Sequence, residues 1–310
     1  MCVHQQENPD VLLHDDWISA VDGSSRIWEA AGVCTHVLEG HSAEVRAVSV
    51  VKAAEEEHTD VVFATGARDK TPHAEKLKIG AYRTLRGHTD TVESLAAGPT
   101  ANTLCSGSWD KSIKLWQTAS TKKRKRGNEE EETQSEQEGE AVSTLVGHTQ
   151  CVSSVVWPEH GTIYSGSNDS SIRRWDLETR QSTLRIVSGK AIYCIDVGGE
   201  SSTLIAGGGI DPVLNIWDLR QKGTLAPCFR LSSHTFTIAT CKWHKSSCFQ
   251  LLSASFDKKV ILWDIRTTHL YLEVRKQCSL SQNSQVLCAD WWNGDRVVSG
   301  GSDSTLRISS

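Results

Sequence analysis

The chain alternates between short apolar runs and polar turns, and one such pattern recurs along most of its length. A clear copy reads Ser106-Gly-Ser-Trp-Asp110-Lys-Ser-Ile-Lys-Leu-Trp116, in which small residues, an aspartate turn and an apolar run ending in tryptophan follow one another. Short runs separated by turn residues are typical of β-strands. The pattern therefore predicts an antiparallel β-structure built from repeated units.

The unit recurs at a nearly constant spacing. Its aspartate and tryptophan, always six residues apart, occur again as Asp169 and Trp175, Asp211 and Trp217, and Asp257 and Trp263. A Gly-His or Ser-His pair precedes four of the units, and its histidines are His41, His88, His148 and His234. Unit ends fall near residues 28, 72, 116, 175, 217, 263 and 308, and the last copy runs from Ser299 through Asp303 to Ile308. These positions give seven units of about 40–45 residues, except where an insertion lengthens one.

Recurrence of Gly-His, Asp and Trp at this period resembles the WD-repeat β-propeller family over nearly the whole chain. In that family each unit is a four-stranded blade around a central channel. The expected fold is therefore all-β, a seven-bladed WD-repeat propeller that covers residues 14–310 and has a truncated first blade.

The first unit is the poorest copy. His14 lies only 14 residues before Trp28, whereas 28 residues separate His88 from Trp116, so about one strand and a turn are missing. Either this blade has diverged or the chain is an incomplete gene product, and the second explanation is favoured because an open sheet edge is a liability. Residues 1–13, with the strand near Asp10 to Leu13, are expected to close the last blade, and low thermal stability is expected.

The second unit is irregular as well. It has the turn around Asp69, but Glu75 stands where the tryptophan is expected. Pro72 precedes it, and proline disfavours a central strand.

Within each blade, the histidine is expected to hydrogen-bond the turn aspartate, and the third-strand tryptophan is expected to close the network. The expected members are His41, Asp69, His88, Asp110, Trp116, His148, Asp169, Trp175, Asp211, Trp217, His234, Asp257, Trp263 and Asp303. Several near-identical copies fit a scaffold better than a single catalytic triad, which is recognised by geometry and roles.

Composition excludes several function classes. The 11 Trp outnumber the 5 Phe and 4 Tyr together, as a repeated Trp motif would produce. The net charge of −5 provides no global basic field for nucleic acid. No apolar stretch is long enough to span a membrane. The ten cysteines include no C-x-x-C pair, and no phosphate-binding loop or metal-ligand motif occurs. A non-catalytic protein without cofactor or metal is expected.

Residues 117–141 interrupt the repeat with a charged insertion that is predicted to be disordered. It carries a basic run, Lys122, Lys123, Arg124, Lys125 and Arg126, followed by a glutamate-rich run. The basic run is a candidate nuclear-import signal. Direct RNA contact is a weaker alternative, because the acidic run competes with phosphate, and a solvated loop of no function is a third.

A finer resemblance concerns the amino-acid sequences of several segments. These are His14-Asp-Asp-Trp17-Ile-Ser, Ser24-Ser-Arg-Ile-Trp28, Gly107-Ser-Trp-Asp-Lys111, Val152-Ser-Ser-Val155 and the lysine-rich loop after the third blade. They are similar to the WD-repeat subgroup in ribosome biogenesis that partners pescadillo and the block-of-proliferation protein in the PeBoW complex. The resemblance implies a scaffold in large (60S) subunit biogenesis and pre-rRNA maturation, in nucleolus and nucleoplasm, docked propeller to propeller on pre-60S particles. The subgroup's Notchless-like N-terminal domain, which the ATPase midasin grips, does not occur in this sequence, so whether midasin-dependent release applies to the chain is left open.

Binding residues of a propeller are expected on its faces, where loops sit on a rigid scaffold. The residue before each turn aspartate often points to one face, and Arg68, Trp109 and Phe256 are the partner-binding candidates because such side chains form interface hot spots. The alternative is that they wedge between neighbouring blades. A second function class also stays open, since W-D-x-R endings at Trp217–Arg220 and Trp263–Arg266 match those of cullin-RING ubiquitin ligase substrate receptors.

Overall fold

The computed structural model describes fourteen segments of the chain. They are residues 2–3, 11–15, 25–29, 34–38, 41–51, 62–76, 82–100, 102–118, 139–221, 226–266, 275–281, 284–292, 296–303 and 306–309. Regular structure in these segments consists of β-strands and one 3-10 turn at Glu200–Ser202. No helix in them is long and apolar enough to cross a membrane.

The strands form seven sheets in chain order, which we call blades one to seven. Blade one contains β1 (Cys2–Val3), β2 (Val11–Asp15), β3 (Ser25–Glu29) and β4 (Cys34–Leu38). Blade two contains β5 (Val45–Val51), β6 (Val62–Ala67), β7 (Pro72–Lys76) and β8 (Tyr82–Arg86). Blade three contains β9 (Val92–Ala97), β10 (Thr103–Ser108), β11 (Ser112–Gln117) and, after β12 (Gly139–Glu140), β13 (Ser143–Val146).

The remaining blades follow the same scheme. Blade four contains β14 (Val152–Glu159), β15 (Thr162–Ser167), β16 (Ser171–Asp176) and β17 (Gln181–Val187). Blade five contains β18 (Ile192–Gly198), β19 (Leu204–Gly209), β20 (Leu214–Asp218) and β21 (Phe229–Leu231). Blade six contains β22 (Ile238–Trp243), β23 (Gln250–Ser255), β24 (Lys259–Asp264) and β25 (Arg275–Ser281). Blade seven contains β26 (Val286–Trp292), β27 (Arg296–Gly301) and β28 (Leu306–Ser309).

The innermost strands close a ring. From β5 through β9, β14, β18 and β22 to β26, each innermost strand contacts the next, and β1 contacts both β26 and β5. Consecutive strands within each blade pair antiparallel. The predicted all-β propeller of seven blades is thus confirmed.

In blades two to seven the second strand ends in small residues, and in blades three and four the next blade packs directly on them. A Cβ atom added to Gly107 of β10 would lie 2.7 Å from Val152 Cγ1 of blade four, and one added to Gly166 of β15 would lie 2.7 Å from Ile192 of blade five. Both distances are closer than atoms pack in protein interiors. The small-residue run seen in the sequence is therefore an inter-blade contact.

Blade one corrects the prediction for the N-terminal segment. Residues 11–13 do not close blade seven, because β2 lies between β1 and β3 and Leu12 stands opposite Trp28. The described residues of the blade form four strands, so no strand is missing, and its innermost strand contains Cys2–Val3. The propeller therefore begins at β1 rather than at His14. Sequence reasoning took His14 for the start of an innermost strand, whereas it lies in the second.

The ends of the charged insertion are ordered, which corrects its predicted limits of 117–141. Gln117 is the last residue of β11, and Gly139–Glu140 (β12) pairs parallel with Leu85 and Arg86 of blade two. Ala141 packs against the buried cluster that contains Leu85 and Trp116. The basic run Lys122 to Arg126 lies outside the described residues.

Two further details differ from the sequence interpretation. In blade seven, Ser309 and not Ile308 stands opposite Val297, the position that corresponds to Trp116 opposite Leu104 in blade three. In blade two, Pro72 is tolerated because it is the first residue of β7, where a strand accepts proline.

Candidate functional site

Three blades contain the same buried chain of hydrogen bonds. In blade four, His148 Nδ1 lies 2.8 Å from Asp169 Oδ2, His148 Nε2 lies 2.7 Å from Ser165 Oγ, and Trp175 Nε1 donates to the same Oγ at 2.8 Å. The equivalent sets in blades three and six, with distances of 2.6 to 2.9 Å, are His88, Asp110, Ser106 and Trp116, and His234, Asp257, Ser253 and Trp263. The structure thus brings most of the predicted network together, with a serine between the histidine and the tryptophan, as the sequence suggests for Ser106.

The donors and acceptors of this chain have a fixed order. An indole N–H only donates, so Ser165 accepts from Trp175 and donates its own proton to Nε2 of His148, whose Nδ1–H donates to Asp169. Burial lowers the pKa of His148, which favours the neutral ring that this order requires. Burial alone would raise the pKa of Asp169, but hydrogen bonds from Ser171 and His148 outweigh it and hold the pKa at about 2. Each polar group is satisfied inside its own blade, as in a structural support.

Blade two carries a variant of the chain. His41 Nδ1 lies 2.8 Å from Asp69 Oδ2, and its Nε2 lies 2.9 Å from Thr65 Oγ1, which replaces the serine. Glu75 stands opposite Phe63, at the place that tryptophan occupies in blades three to six. The turn is therefore held by the histidine and aspartate without the indole.

Blade five lacks the network predicted for Asp211 and Trp217. Ser188 takes the place of the histidine four residues before the innermost strand, and Gly207 takes the place of the serine. Within the described segments, Trp217 Nε1 has no hydrogen-bond partner although the side chain is fully buried. A Cβ on Gly207 would lie 3.0 Å from Trp217 Cζ3, so the indole ring occupies the space that a serine would need.

Blade seven also departs from the prediction. Asp303 forms an ion pair of 3.6 Å with Arg307 four residues later. The residue four positions before β26, Gln282, lies outside the described residues.

The networks fix the turns between second and third strands, and these turns form one face of the ring, which we call the turn face. In six blades the residue before the turn aspartate donates its backbone N–H to the carbonyl of the residue just before the innermost strand. These donors are Arg68, Trp109, Asn168, Ile210, Phe256 and Ser302, at 2.9 to 3.2 Å. The shared bond places all six residues at equivalent positions on this face.

A second set of equivalent positions comes from the innermost strands. Each of β5, β9, β14, β18, β22 and β26 has a β-bulge at its second residue, and bulges re-aim a side chain. The bulged residues are Arg46, Glu93, Ser153, Tyr193, Ala239 and Leu287. The turn face is thus ringed by two side chains from each of six blades.

Trp109 is held in place on this face although half of its surface is exposed. Its Nε1 donates to Glu93 Oε2 at 2.9 Å, and its side chain is 49% exposed. Glu93 also accepts from Arg46 of blade two, with Arg46 Nη2 3.2 Å from Oε1. This arrangement joins two blades and presents an oriented indole to solvent, which suits an interface anchor.

The two other partner-binding candidates differ from Trp109. Arg68 is exposed at the turn of blade two, and Phe256 is half-buried at the turn of blade six. Sequence reasoning missed Phe236, which is 60% exposed, and passed over Ile210, which is 52% exposed. Ile210 occupies the same position before the turn aspartate as Trp109, so the repeat alone could have identified it.

The W-D-x-R endings lie on exposed turns, and within each ending the arginine forms an ion pair with the aspartate. Arg220 Nη2 lies 2.7 Å from Asp218 Oδ2, and Arg266 pairs with Asp264 in the same way. In both, the arginine is exposed and closes a turn two residues after its aspartate.

Four cysteines are buried, namely Cys105, Cys194, Cys241 and Cys288, and three are half-buried, namely Cys151, Cys228 and Cys248. Burial raises the pKa of the Cys105 thiol well above its ordinary value and, together with nearby Glu93, raises that of Cys151 to about 12. A thiol is a nucleophile only as thiolate, so these groups are suited to packing. In the same segments, no group of three or more His, Cys, Asp or Glu side chains is placed to hold a metal ion.

Comparison with known proteins matches three of the repeats to a family and nearly the whole chain to named relatives. The family described as "WD domain, G-beta repeat" matches residues 81–117, 139–176 and 225–264. The chain is 49% identical to the "Ribosome biogenesis protein WDR12 homolog" of Arabidopsis thaliana, over 99% of the chain and 76% of the relative. The proteins of the same name from Oryza sativa subsp. japonica and Nematostella vectensis are 49% and 30% identical, over 99% and 98% of the chain and 76% and 78% of those relatives.

Proposed function

The chain belongs to the family of WD-repeat ribosome biogenesis proteins named WDR12 homologs, and from this membership we propose that it is a non-catalytic scaffold in ribosome biogenesis. The observation that carries the proposal is identity of 49% along nearly the entire chain, which includes blades, turns and the insertion. The internally satisfied networks support a scaffold, because their histidines and serines are committed to the fold.

In finer detail, we propose that the chain acts in maturation of the large (60S) subunit and of pre-rRNA, in nucleolus and nucleoplasm. Pescadillo and the block-of-proliferation protein are the proposed partners, and pre-60S particles the assembly in which they meet. The turn face is the proposed contact, with Trp109 as its oriented anchor and Arg68 and Phe256 beside it. The names of the relatives do not favour a cullin-RING substrate receptor.

The test is affinity purification of the tagged chain followed by identification of its partners and sedimentation of its complexes. Pescadillo, the block-of-proliferation protein and 60S precursors are expected to co-purify and to sediment with the chain. Co-purification of cullin without pescadillo, or of neither, would reject the proposal.

A further inference from the structure

Opposite halves of the turn face differ in chemistry. Three of its four positions in blades two and three are charged, namely Arg46, Arg68 and Glu93, and the fourth is Trp109. Of the six corresponding positions in blades five to seven, five are apolar and only Ser302 is polar. We give the name apolar sector to four of these residues and the exposed Phe236, which precedes β22: Tyr193, Ile210, Phe236, Phe256 and Leu287.

Backbone contacts bring the members of the apolar sector to one surface. Ser255 Oγ donates to the Phe236 carbonyl at 3.0 Å, next to the 3.0 Å bond from Phe256 N to the Thr237 carbonyl. The loop before β22, which carries Phe236, therefore lies against the turn between β23 and β24, which carries Phe256. In blade five, Ile210 bonds to the residue just before β18, the strand that carries the bulge at Tyr193.

The exposure of these side chains is unusual for apolar groups that have no role. Ile210 and Phe236 are 52% and 60% exposed, while Tyr193, Phe256 and Leu287 are half-buried beside them. Contiguous apolar surface spread over three blades marks interaction sites more often than isolated residues do.

The charges around the sector indicate what covers it. Lys190 and Lys258 are exposed: Lys190 precedes Ala191, whose carbonyl accepts from Ile210 N, and Lys258 lies in the same turn as Phe256. The nearby carboxylate of Asp257 is paired with His234, that of Asp303 with Arg307, and Asp211 is half-buried. A chain with net charge −5 therefore presents here an apolar surface bordered by ammonium groups. Complementary charge in a partner steers association and fixes register.

We propose that the apolar sector is the docking surface for a protein segment that presents an apolar anchor side chain flanked by carboxylates. The anchor packs between Ile210 and Phe236, and the carboxylates meet Lys190 and Lys258. This deepens the proposed function, on which it rests, since the segment belongs to a partner of the scaffold.

The experiment is site-specific photo-crosslinking in cells that express the full chain. Photoreactive p-benzoylphenylalanine is placed at position 236 and, in a second variant, at position 210. The control position is 187, because Val187 is 61% exposed but lies at the end of the outer strand β17. Crosslinked segments are sequenced by mass spectrometry. Each variant is also compared with the wild-type chain by thermal melting, and position 210 replaces 236 where the latter destabilises the fold.

The expected result is one crosslinked segment of another protein, at positions 236 and 210 but not 187, with acidic residues on both sides of an apolar one. The double substitution Lys190→Glu and Lys258→Glu is expected to reduce this crosslink at least five-fold. A crosslink to a second copy of the chain, to RNA or to a basic segment would overturn the proposal, as would one insensitive to charge reversal or no stronger than at position 187. Crosslinking is measured separately in fractions that contain pre-60S particles and in fractions that do not. Absence of the chain from pre-60S particles would reject the proposed function, whereas the docking proposal is decided by the crosslinks in either fraction.

Discussion

The indole nitrogen of Trp109 lies 2.9 Å from Glu93 Oε2, on the innermost strand β9 of the same blade. Glu93 is also bonded to Arg46 of blade two, so the ring of Trp109 is oriented by a bridge between blades. An exposed aromatic side chain that is already immobilised loses little conformational entropy when a partner covers it.

We therefore expect Trp109→Ala to weaken partner association by about 2 kcal/mol, the size of a typical hot-spot effect, while the ring stays folded. Co-purification of partners and the urea midpoint of the variant measure the two effects. The matched control is Val187→Ala, which removes a similarly exposed apolar side chain on β17. Loss of soluble protein on Trp109→Ala would instead show that the indole serves packing between blades.

The buried networks lead to a prediction about stability. Asp169→Ala removes the acceptor of His148 and leaves a buried ring nitrogen unsatisfied, so we expect a loss of about 2 kcal/mol in the free energy of unfolding. Asp211→Ala in blade five is the control, since no network joins that aspartate to a histidine among the described residues, and we expect a change within about 0.5 kcal/mol. Urea denaturation of both variants gives the comparison, and equal losses would contradict a structural role of the network.

These two aspartates also show how far the sequence could be read. Period and motif were sufficient for seven blades, for the His–Asp–Trp sets of blades three, four and six, and for the family. Spacing alone does not distinguish Asp211 from Asp169, but residue identity does, because blade five has Ser188 in place of the histidine and Gly207 in place of the serine. The N-terminal strands were misplaced for a related reason. The two residues of β1 carry too little pattern to be recognised, and their place follows only from pairing with β2.

The apolar sector escaped the sequence analysis because it is a property of the ring. Phe236 and Ile210 lie 26 residues apart in the chain, and only the repeated backbone bonds of neighbouring blades put them on one face. A periodic search aligned on the turn aspartate could find Ile210. Phe236 requires the structure, since nothing local distinguishes an exposed phenylalanine from a buried one.

The pH dependence of stability follows from the buried histidines. Burial lowers the pKa of His148 and His234 below the ordinary 6.5, so the unfolded chain binds their protons at a higher pH than the folded protein does. Their stabilisation is complete above pH 6.5 and is lost as pH falls through that value toward the folded pKa.

Urea midpoints measured from pH 8 to pH 5 are expected to decrease below about pH 6.5. The slope should be smaller in His148→Gln and unchanged in His160→Gln, since His160 is exposed on the turn after β14. A midpoint that rises on acidification would show that these histidines are protonated in the folded protein.

The central channel supplies another test of the fold. Lys242 on β22 lies in the wall of a cavity of about 520 Å³, between the strands that carry Asp196 and Asp290. Burial alone would lower the pKa of Lys242, but these two carboxylates outweigh it and raise the pKa. We expect Lys242→Met to cost about 3 kcal/mol, because it removes a positive charge next to the buried carboxylate of Asp290 and the half-buried carboxylate of Asp196.

The double variant Lys242→Met and Asp290→Asn should recover part of that loss, because one of the two carboxylates is then neutral. Lys245→Met, at an exposed position three residues along the chain, is the control with an expected change below about 0.5 kcal/mol. Denaturant titration of the three proteins measures their free energies of unfolding. If the double variant loses as much as Lys242→Met alone, the unpaired charge is not the cause of the loss.

The charged insertion leads to the last prediction, which concerns localisation. Both ends of the insertion are held by the blades, because Gln117 is the last residue of β11 and Gly139 pairs with Leu85 of blade two. Substitutions between these ends are therefore expected to leave the blades intact. Replacing all five basic residues from Lys122 to Arg126 with alanine is expected to abolish nuclear accumulation of a fluorescent fusion, since a basic five-residue run is typical of import signals. Replacing Glu129 to Glu132 with alanine in the same loop is the control and should leave accumulation unchanged. If the basic variant still accumulates in the nucleus, and both variants melt as the wild-type chain does, import does not depend on this run.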